Sequence, residues 1–299
     1  MIYRSLSNGF NVSVLCFGTA TFAAGKLFPY KDSEAGISAL ITALNDGINF
    51  IHSNPKLLTQ WAIRKALEKI PKNDIHHAVK VECPLDATES QIENIFNYII
   101  SSSQYILGIN KIHVIIYEID IKKTKEKSKL NDVSIIKMNF NKVKNVFERF
   151  YNKHVVDLLF CMCHNHHEME AALNLNCFDG YAAYFNFLNI WPSNFLDRIY
   201  ESSKDFIGIR PLAQGLLTNQ NFHKLENKKL LSVLKSVIRE KHVSIQAMSI
   251  KFTLAHPVVK SVIVGFSQSS HVKELVDAAQ KPLSLDEYKK ILEKIRGSS

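Results

Sequence analysis

The chain has 299 residues, 46% of them hydrophobic, and carries a formal net charge of +9 at pH 7. No window approaches the roughly 18 uninterrupted apolar residues of a membrane span, and "MIYRSLSNGF" lacks the charged-then-apolar pattern of a secretory signal. Five cysteines, an odd number in a long chain, fit a reducing compartment better than a disulfide framework. We therefore expect a cytoplasmic protein without a membrane partner.

The positive net charge has three possible explanations: a nucleic-acid partner, an anionic cofactor or simply a lysine-rich composition. Its densest run, "IKKTKEKSK" at Ile121–Lys129, is interrupted by Glu126 and contains no aromatic residue. Basic grooves for nucleic acid are usually combined with aromatic side chains on which bases stack. The sequence therefore favours a lysine-rich composition and predicts no nucleic-acid partner.

The first elements are a hairpin, a helix and a buried strand. Asn8 and Gly9 stand between two short apolar runs and predict a β-hairpin, because both residues tolerate positive φ. Apolar residues at helical spacing over 35–44 then predict a helix that stops at Gly47. The apolar run after this glycine predicts a strand that ends at His52.

Helices and strands continue to alternate along the rest of the chain. Helices are predicted in "WAIRKALEKIP", "TESQIENIFNYIISSSQYIL", "NKVKNVFERFYN", "EMEAAL", "SNFLDRIYES", "SIQAMSIKFTLAHP" and "HVKELVDAA", and strands in "HHAVKVE", "KIHVIIYEID", "HVVDLLFCMC", "FDGYAAYFNFL", "FIGIRPLA" and "SVIVGF". About eight strands joined by helical crossovers predict an α/β fold, a (β/α)8 TIM barrel that spans residues 1–299 as one domain. The polar, lysine-rich interruption from Asp120 to Asn141 is predicted to be a surface loop.

Several segments in this order resemble the aldo-keto reductase family: "YRSLSNGFNVSVLCFGTATF", "ALNDGINFIHS", "YFNFLN", "GIRPLAQGLLT" and "HPVVKSVIVGFSQSSHVKELVDAA". Members of that family are (β/α)8 barrels that bind NADPH, or sometimes NADH, across the C-terminal mouth and reduce carbonyl compounds by hydride transfer. The resemblance implies an NADP(H)-dependent oxidoreductase that acts on a small carbonyl or sugar-like substrate.

The family reaction uses an aspartate, a tyrosine, a lysine and a histidine, and only one of these four is retained. The family pattern "FIDTAxxYGxSE" corresponds to "FIHSNPKLLTQW", so His52 stands in place of the aspartate and Leu57 in place of the tyrosine. Lys80 matches the lysine at the end of the third barrel strand. Glu118 stands in place of the histidine. The resemblance therefore implies a non-standard site built on His52, Lys80 and Glu118.

Leucine has no transferable proton, so carbonyl reduction by the family route needs a substitute for the tyrosine. The candidates are Tyr30, Tyr117, protonated His52 and Glu118. Alternation along the strand points Tyr117 away from the face of Glu118.

A third, weaker hypothesis concerns Lys80, which has His52 as a neighbour where the family has a carboxylate. Its pKa is then expected to fall. A lysine of this kind could act as a base or as a Schiff-base nucleophile in lyase or isomerase chemistry. The second hypothesis is a pseudoenzyme that binds a ligand or partner, in which His52, Lys80 and Glu118 satisfy one another without turnover.

The residues that would hold the nicotinamide are partly replaced. The family often has "GxSN" after the fifth barrel strand, and this pair aligns either with His164 and Asn165 or with Met162 and Cys163. Ala182 replaces the glutamine of the next strand and cannot hydrogen-bond a carboxamide. The loop that passes along the pyrophosphate keeps four residues and carries arginine in place of a stacking aromatic: Pro211, Leu212, Gly215 and Leu217, with Arg210 as the replacement.

The phosphate end of the cofactor site is kept in outline. The resemblance assigns to it the close-approach glycine, three hydroxyl donors and an adenine contact: Gly265, Ser267, Ser269, Ser270 and Glu274. His271 stands where arginine commonly meets the 2′-phosphate, and Leu275 replaces the usual asparagine. This implies a weakened NADP(H) signature, with a merely structural barrel-closing unit as the alternative.

The segment "CMCHNHHE" at Cys161–Glu168 raises the possibility of a zinc or copper site. However, alternation on a strand separates its cysteines from His164, and the spacing matches no paired-ligand motif. Buried cysteines with histidines that line the barrel mouth are the favoured interpretation, and no metal is predicted.

Overall fold

A β-hairpin precedes the barrel, as the Asn8-Gly9 signal predicts. The computed structural model describes residues 1–22, 33–70, 74–125 and 130–298. Strands β1 (Tyr3–Ser5) and β2 (Asn11–Ser13) pair antiparallel, and Gly9 in the turn between them has φ +87°. This left-handed conformation suits glycine because it has no Cβ.

Eight parallel strands close into a barrel, which confirms the predicted (β/α)8 architecture. They are β3 (Leu15–Gly18), β4 (Phe50–Ser53), β5 (His76–Cys83), β6 (Ile112–Ile119), β7 (Val156–Met162), β8 (Gly180–Tyr184), β9 (Asp205–Ile209) and β10 (Val259–Gly265). Each strand pairs with the next, and β10 also pairs with β3. The carboxyl ends of all eight strands therefore meet at one mouth.

Helices surround the barrel. They are α1 (Ser33–Asn45), α2 (Gln60–Lys69), α3 (Glu89–Leu107), α4 (Val133–Tyr151), α5 (His166–Leu175), α6 (Leu196–Glu201), α7 (Lys228–Lys241), α8 (Ile245–Leu254), α9 (Ser269–Ala279) and α10 (Leu285–Arg296). The capping box predicted for Thr88 and Gln91 is present at the start of α3. Within the described ranges, no helix is both long and apolar enough to cross a membrane.

The predicted surface loop from Asp120 to Asn141 is wrong in its second half, where α4 begins at Val133. The side chain of Asp132 caps this helix by accepting from the backbone N–H groups of Ser134 and Ile135. Ile136 and Phe140, four residues apart, are buried on its inner face. Lys137, the exposed Met138 and Asn139 lie between these positions and conceal the helical period in the sequence. Helices α7 and α10 were also not predicted.

The barrel interior has its own apolar cluster, which includes Leu6 and Val12 from the hairpin. Side chains along a strand alternate between the interior and the helices. On β5 the interior positions are Ala78, which lies in this cluster, and then Lys80 and Glu82 toward the mouth. The hairpin thus covers one end of the interior, and charged side chains occupy the other.

Candidate active site at the barrel mouth

Lys80 lies between two carboxylates at the barrel mouth. Its Nζ contacts Glu118 on β6 and lies 2.8 Å from Oε1 of Glu82 on its own strand. Glu82 and Glu118 stand directly opposite each other in the β5–β6 register. Two adjacent carboxylates would repel each other, and the ammonium group of Lys80 compensates both.

The prediction that the pKa of Lys80 falls is wrong. Burial alone would lower this pKa, but the carboxylates of Glu118 and Glu82 together hold it above its ordinary value. Glu82, two residues after Lys80 on the same face of β5, supplies a negative charge that His52 does not. Lys80 is therefore held as a charged ammonium, which is the wrong protonation state for a Schiff-base nucleophile.

A second lysine extends this arrangement. Lys56, in the short 3-10 helix Pro55–Leu57 after β4, contacts Glu82 and lies 2.7 Å from Oδ2 of Asp120. Burial would lower its pKa, but these two carboxylates raise it. The result is a row of alternating charges that we call the mouth charge chain: Asp120, Lys56, Glu82, Lys80, Glu118 and His164.

His52 stands near this chain as a neutral imidazole. Its pKa is lowered to about 3 by burial and by the positive charge of Lys80, against the opposing effect of Glu118. His52 is therefore unprotonated at neutral pH, so it cannot serve there as the proton donor.

The far end of the mouth charge chain is an imidazole–carboxylate pair. His164 lies two residues after the end of β7 at Met162. Its Nε2 lies 3.1 Å from Oε1 of Glu118, and the two side chains are 18% and 12% exposed. Burial would raise the pKa of Glu118, but His164 and Lys80 lower it. Burial would lower the pKa of His164, but Glu118 and then Glu168 raise it. The pair therefore favours an imidazolium beside an ionised carboxylate.

Tyr117, named as a substitute acid, is not placed to donate a proton in the mouth. Tyr117 is buried on the outer side of the barrel, where its hydroxyl donates to Oδ1 of Asn139 at 2.5 Å. Burial raises its pKa well above the ordinary range. Tyr30 lies outside the described residues.

Glu168 holds the backbone of His164 in place. This buried carboxylate accepts the His164 backbone N–H at 2.8 Å and the side-chain amide of Asn165 at 3.1 Å. The carbonyl oxygen of the Asn165 side chain accepts from the Glu168 backbone N–H and caps α5. His164 therefore faces the mouth, whereas the predicted carboxamide anchor Asn165 is engaged within the protein.

Tyr184 and Arg210 lie beside His164. The rings of His164 and Tyr184 meet edge to face with centroids 5.6 Å apart, and Cζ of Arg210 lies 4.1 Å from the Tyr184 ring centroid. Arg210 has φ +56°, and its carbonyl oxygen accepts from the side-chain amide of Asn186 at 2.9 Å. The guanidinium group is thus stacked on an aromatic face at the rim of the mouth.

The predicted pyrophosphate loop follows Arg210. Pro211 is buried, and Leu212 precedes a tight 3-10 turn, Ala213–Gly215, that ends on Gly215 with φ +91°. This loop is adjacent in sequence to Arg210 but contributes nothing to the mouth charge chain.

The predicted phosphate residues lie where β10 leads into α9. Gly265 is packed so closely that a Cβ there would lie 2.7 Å from Cγ2 of Thr21. Oγ of Ser267 lies 3.3 Å from Nδ1 of His271, and both side chains are exposed. Glu274 instead accepts from the hydroxyl of Ser244, the capping residue of α8, at 2.6 Å. Ser267 and His271 therefore remain accessible, whereas Glu274 is engaged.

The histidine- and cysteine-rich segment divides between two faces of β7. Cys161 and Cys163 are buried with their sulfur atoms 3.6 Å apart, while His164 lines the mouth. Among the residues that the structure describes, no three histidine, cysteine, aspartate or glutamate side chains are grouped to hold a metal ion.

Four residues of the mouth were missed by the sequence analysis: Lys56, Glu82, Asp120 and Tyr184. A period-two signal could have found two of them, because Glu82 follows Lys80 and Asp120 follows Glu118 by two residues on predicted strands. Nothing in the sequence pattern indicates that Lys56 joins these two carboxylates.

The molecule is thus a (β/α)8 barrel with a charged site at the carboxyl ends of its strands, where barrel enzymes place their active sites. The Aldo/keto reductase family model matches residues 163–296. The aldo-keto reductase AKR11C1 from Bacillus halodurans, in its holo form, has a TM-score of 0.76 and 19% sequence identity over 98% of this chain and 96% of that chain. Its apo form has a TM-score of 0.72, with the same identity and coverage.

The thermostable aldo-keto reductase Tm1743, solved in complex with the inhibitor epalrestat, has a TM-score of 0.74 and 15% identity over 98% of this chain and 100% of that chain. No curated protein sequence matches the chain. The resemblance to aldo-keto reductases is therefore confirmed over residues 163–296 by the family model, and the solved aldo-keto reductases share the fold of the chain.

Proposed function

We propose that this protein is an NADP(H)-dependent oxidoreductase that reduces a small carbonyl or sugar-like compound, with His164 as its proton donor. The observation that carries this proposal is the pairing of His164 with Glu118 at the barrel mouth. It supplies an acid where Leu57 cannot.

Reduction of a carbonyl requires a proton for the oxygen as hydride reaches the carbon. An acid is most effective when its pKa lies near the working pH, and histidine meets this condition. Glu118 raises the pKa of His164 and so favours the protonated ring. The ammonium group of Lys80 adds positive charge that would stabilise a developing alkoxide.

The residues of the mouth fit the phosphate end of a dinucleotide better than its nicotinamide end. Ser267 and His271 present accessible donors beside the first turn of α9. Ala182 offers no hydrogen bond to a carboxamide, and the amide of Asn165 is engaged with Glu168. A bound reduced nicotinamide would supply the hydride, and we propose that the phosphates provide most of its attachment.

The second candidate is a protein that binds a ligand without turnover. It is favoured by the engagement of two expected cofactor contacts, Asn165 and Glu274, in helix caps. The two candidates differ in whether NADPH binds and is oxidised.

The test is a fluorescence titration of the protein with NADPH and with NADH, followed by NADPH oxidation assays with a panel of small aldehydes, ketones and sugars. The proposal predicts saturable NADPH binding by the wild type. His271→Gln should bind NADPH more weakly than the wild type and bind NADH equally well. His167→Gln, an exposed histidine on α5, is the matched control. NADPH binding without oxidation by any carbonyl compound would favour the second candidate, and absence of NADPH and NADH binding would contradict the oxidoreductase proposal.

A further inference from the structure

Arg210 differs from Lys56 and Lys80 in the ion pairs that it forms. Lys56 and Lys80 each contact two carboxylates. Across the described ranges, the guanidinium group of Arg210 has no carboxylate within ion-pair distance and is exposed. The mouth therefore carries one positive charge that the described part of the protein does not neutralise.

The guanidinium group is nevertheless held in place. It stacks on Tyr184 at 4.1 Å, and the amide of Asn186, itself buried, fixes the Arg210 carbonyl. A stacked guanidinium loses less conformational freedom on binding and leaves its planar row of N–H donors free. This fork matches the two oxygens of a carboxylate.

Its position relates it directly to the proposed proton donor. Tyr184 is in contact with Arg210 and also meets the ring of His164, with centroids 5.6 Å apart. A carbonyl oxygen at His164 and an anionic group at Arg210 would therefore both lie beside the Tyr184 ring, separated by about the length of a short aliphatic chain.

We infer that the mouth binds a short oxo acid, with the substrate carboxylate at Arg210 and the carbonyl oxygen at His164. This inference rests on the proposed function and names its substrate class. Arg210 is thereby the residue that selects anionic carbonyl compounds over neutral ones of the same length.

The experiment compares butyrate with its neutral isostere butyramide in ligand-observed NMR titrations of the protein, without cofactor and saturated with NADPH. A charge-assisted, two-pronged contact predicts that butyrate binds about ten-fold or more tighter than butyramide. Arg210→Met keeps an apolar stem over Tyr184 and is expected to abolish this preference. Arg149→Met, on the outer face of α4 beside Glu89 and Glu93, is the control that should preserve it.

Equal binding of butyrate and butyramide, or an unchanged preference in Arg210→Met, would overturn the inference. Displacement of butyrate by NADPH would also overturn it, because Arg210 would then serve the cofactor phosphates. The reaction is followed separately with succinic semialdehyde and with butyraldehyde. We expect a lower KM for succinic semialdehyde than for butyraldehyde in the wild type, and no such difference in Arg210→Met. Carboxylate binding without any NADPH oxidation would contradict the proposed reaction and leave the carboxylate site established.

Discussion

Nε2 of His164 lies 3.1 Å from Oε1 of Glu118, so the histidine and the carboxylate face each other across neighbouring strands. The family pattern places a histidine at position 118. Here a glutamate occupies that position, and a histidine follows the next strand along the sheet. The mouth thus contains an imidazole, and its carboxylate partner Glu118 raises the pKa of this imidazole.

Glu118→Gln is expected to lower the pKa of His164, because the substitution removes the nearest negative charge and keeps the shape of the side chain. Imidazole resonances followed by NMR against pH give this pKa directly, with His164→Gln as the assignment reference. Glu170→Gln, on the outer surface beside Arg198, is the control and should leave it unchanged. An unchanged His164 pKa in Glu118→Gln would show that the pair does not interact.

Lys80 is expected to form no Schiff base. Its two carboxylate partners keep it protonated, so pyruvate or a small aldehyde followed by borohydride should leave the mass of the protein unchanged near pH 7. Peptide mass spectrometry detects any adduct and locates it. A reduced adduct mapped to Lys80 would revive the lyase hypothesis and contradict the charge assignment made here.

Tyr117→Phe is expected to lower stability without affecting catalysis. The hydroxyl donates to Asn139 in a buried site, and leaving that acceptor unpaired costs about 1–3 kcal/mol. Urea unfolding measures the loss, and the steady-state rate should match the wild-type rate. A ten-fold fall in kcat with intact NADPH binding would instead place Tyr117 in the proton path.

Stability is expected to fall as the pH decreases below about 6.5, the pKa of an unperturbed histidine. The pKa of buried His77 is lowered to about 3 by burial and by the neighbouring His113 and His76. Between about pH 6.5 and 3, His77 is therefore protonated in the unfolded chain but not in the folded chain. This difference in proton binding favours unfolding in that pH range. Above this window, His77 contributes no pH dependence.

For His77 the loss is on the order of 1 kcal/mol at pH 5.5 relative to pH 7.5. Urea unfolding at both pH values measures it, and His77→Asn should reduce the difference between them by that amount. His167→Gln, at an exposed position, serves as the control. If His77→Asn and the wild type lose equal stability on acidification, His77 is not the group responsible.

Much of the fold could be predicted because the apolar residues of its helices and strands recur at regular spacings. Alternating helix and strand patterns predict the barrel, and the Asn8-Gly9 turn predicts the hairpin. The start of α4 was missed because Lys137, the exposed Met138 and Asn139 separate its first buried apolar residues, Ile136 and Phe140.

The sequence indicated which residues lie near Lys80 better than it indicated how their charges interact. Lys80 and Glu118 are in contact at the mouth and His52 lies near them, but the predicted direction of the Lys80 pKa shift is wrong. That direction depends on Glu82, which lies opposite Glu118 only through the β5–β6 register. Register and ion pairing are properties of the folded barrel, so motif alignment alone could not supply them.

The most direct test of the proposed reaction is the pH dependence of NADPH oxidation with an aldehyde in the wild type, in His164→Gln and in the control His167→Gln. If His164 donates the proton, the wild-type rate falls as the pH rises through its raised pKa, above 6.5. His164→Gln should then be slower by roughly 100-fold or more and lose that pH dependence. Equal rates and identical pH profiles in the wild type and His164→Gln would contradict the account.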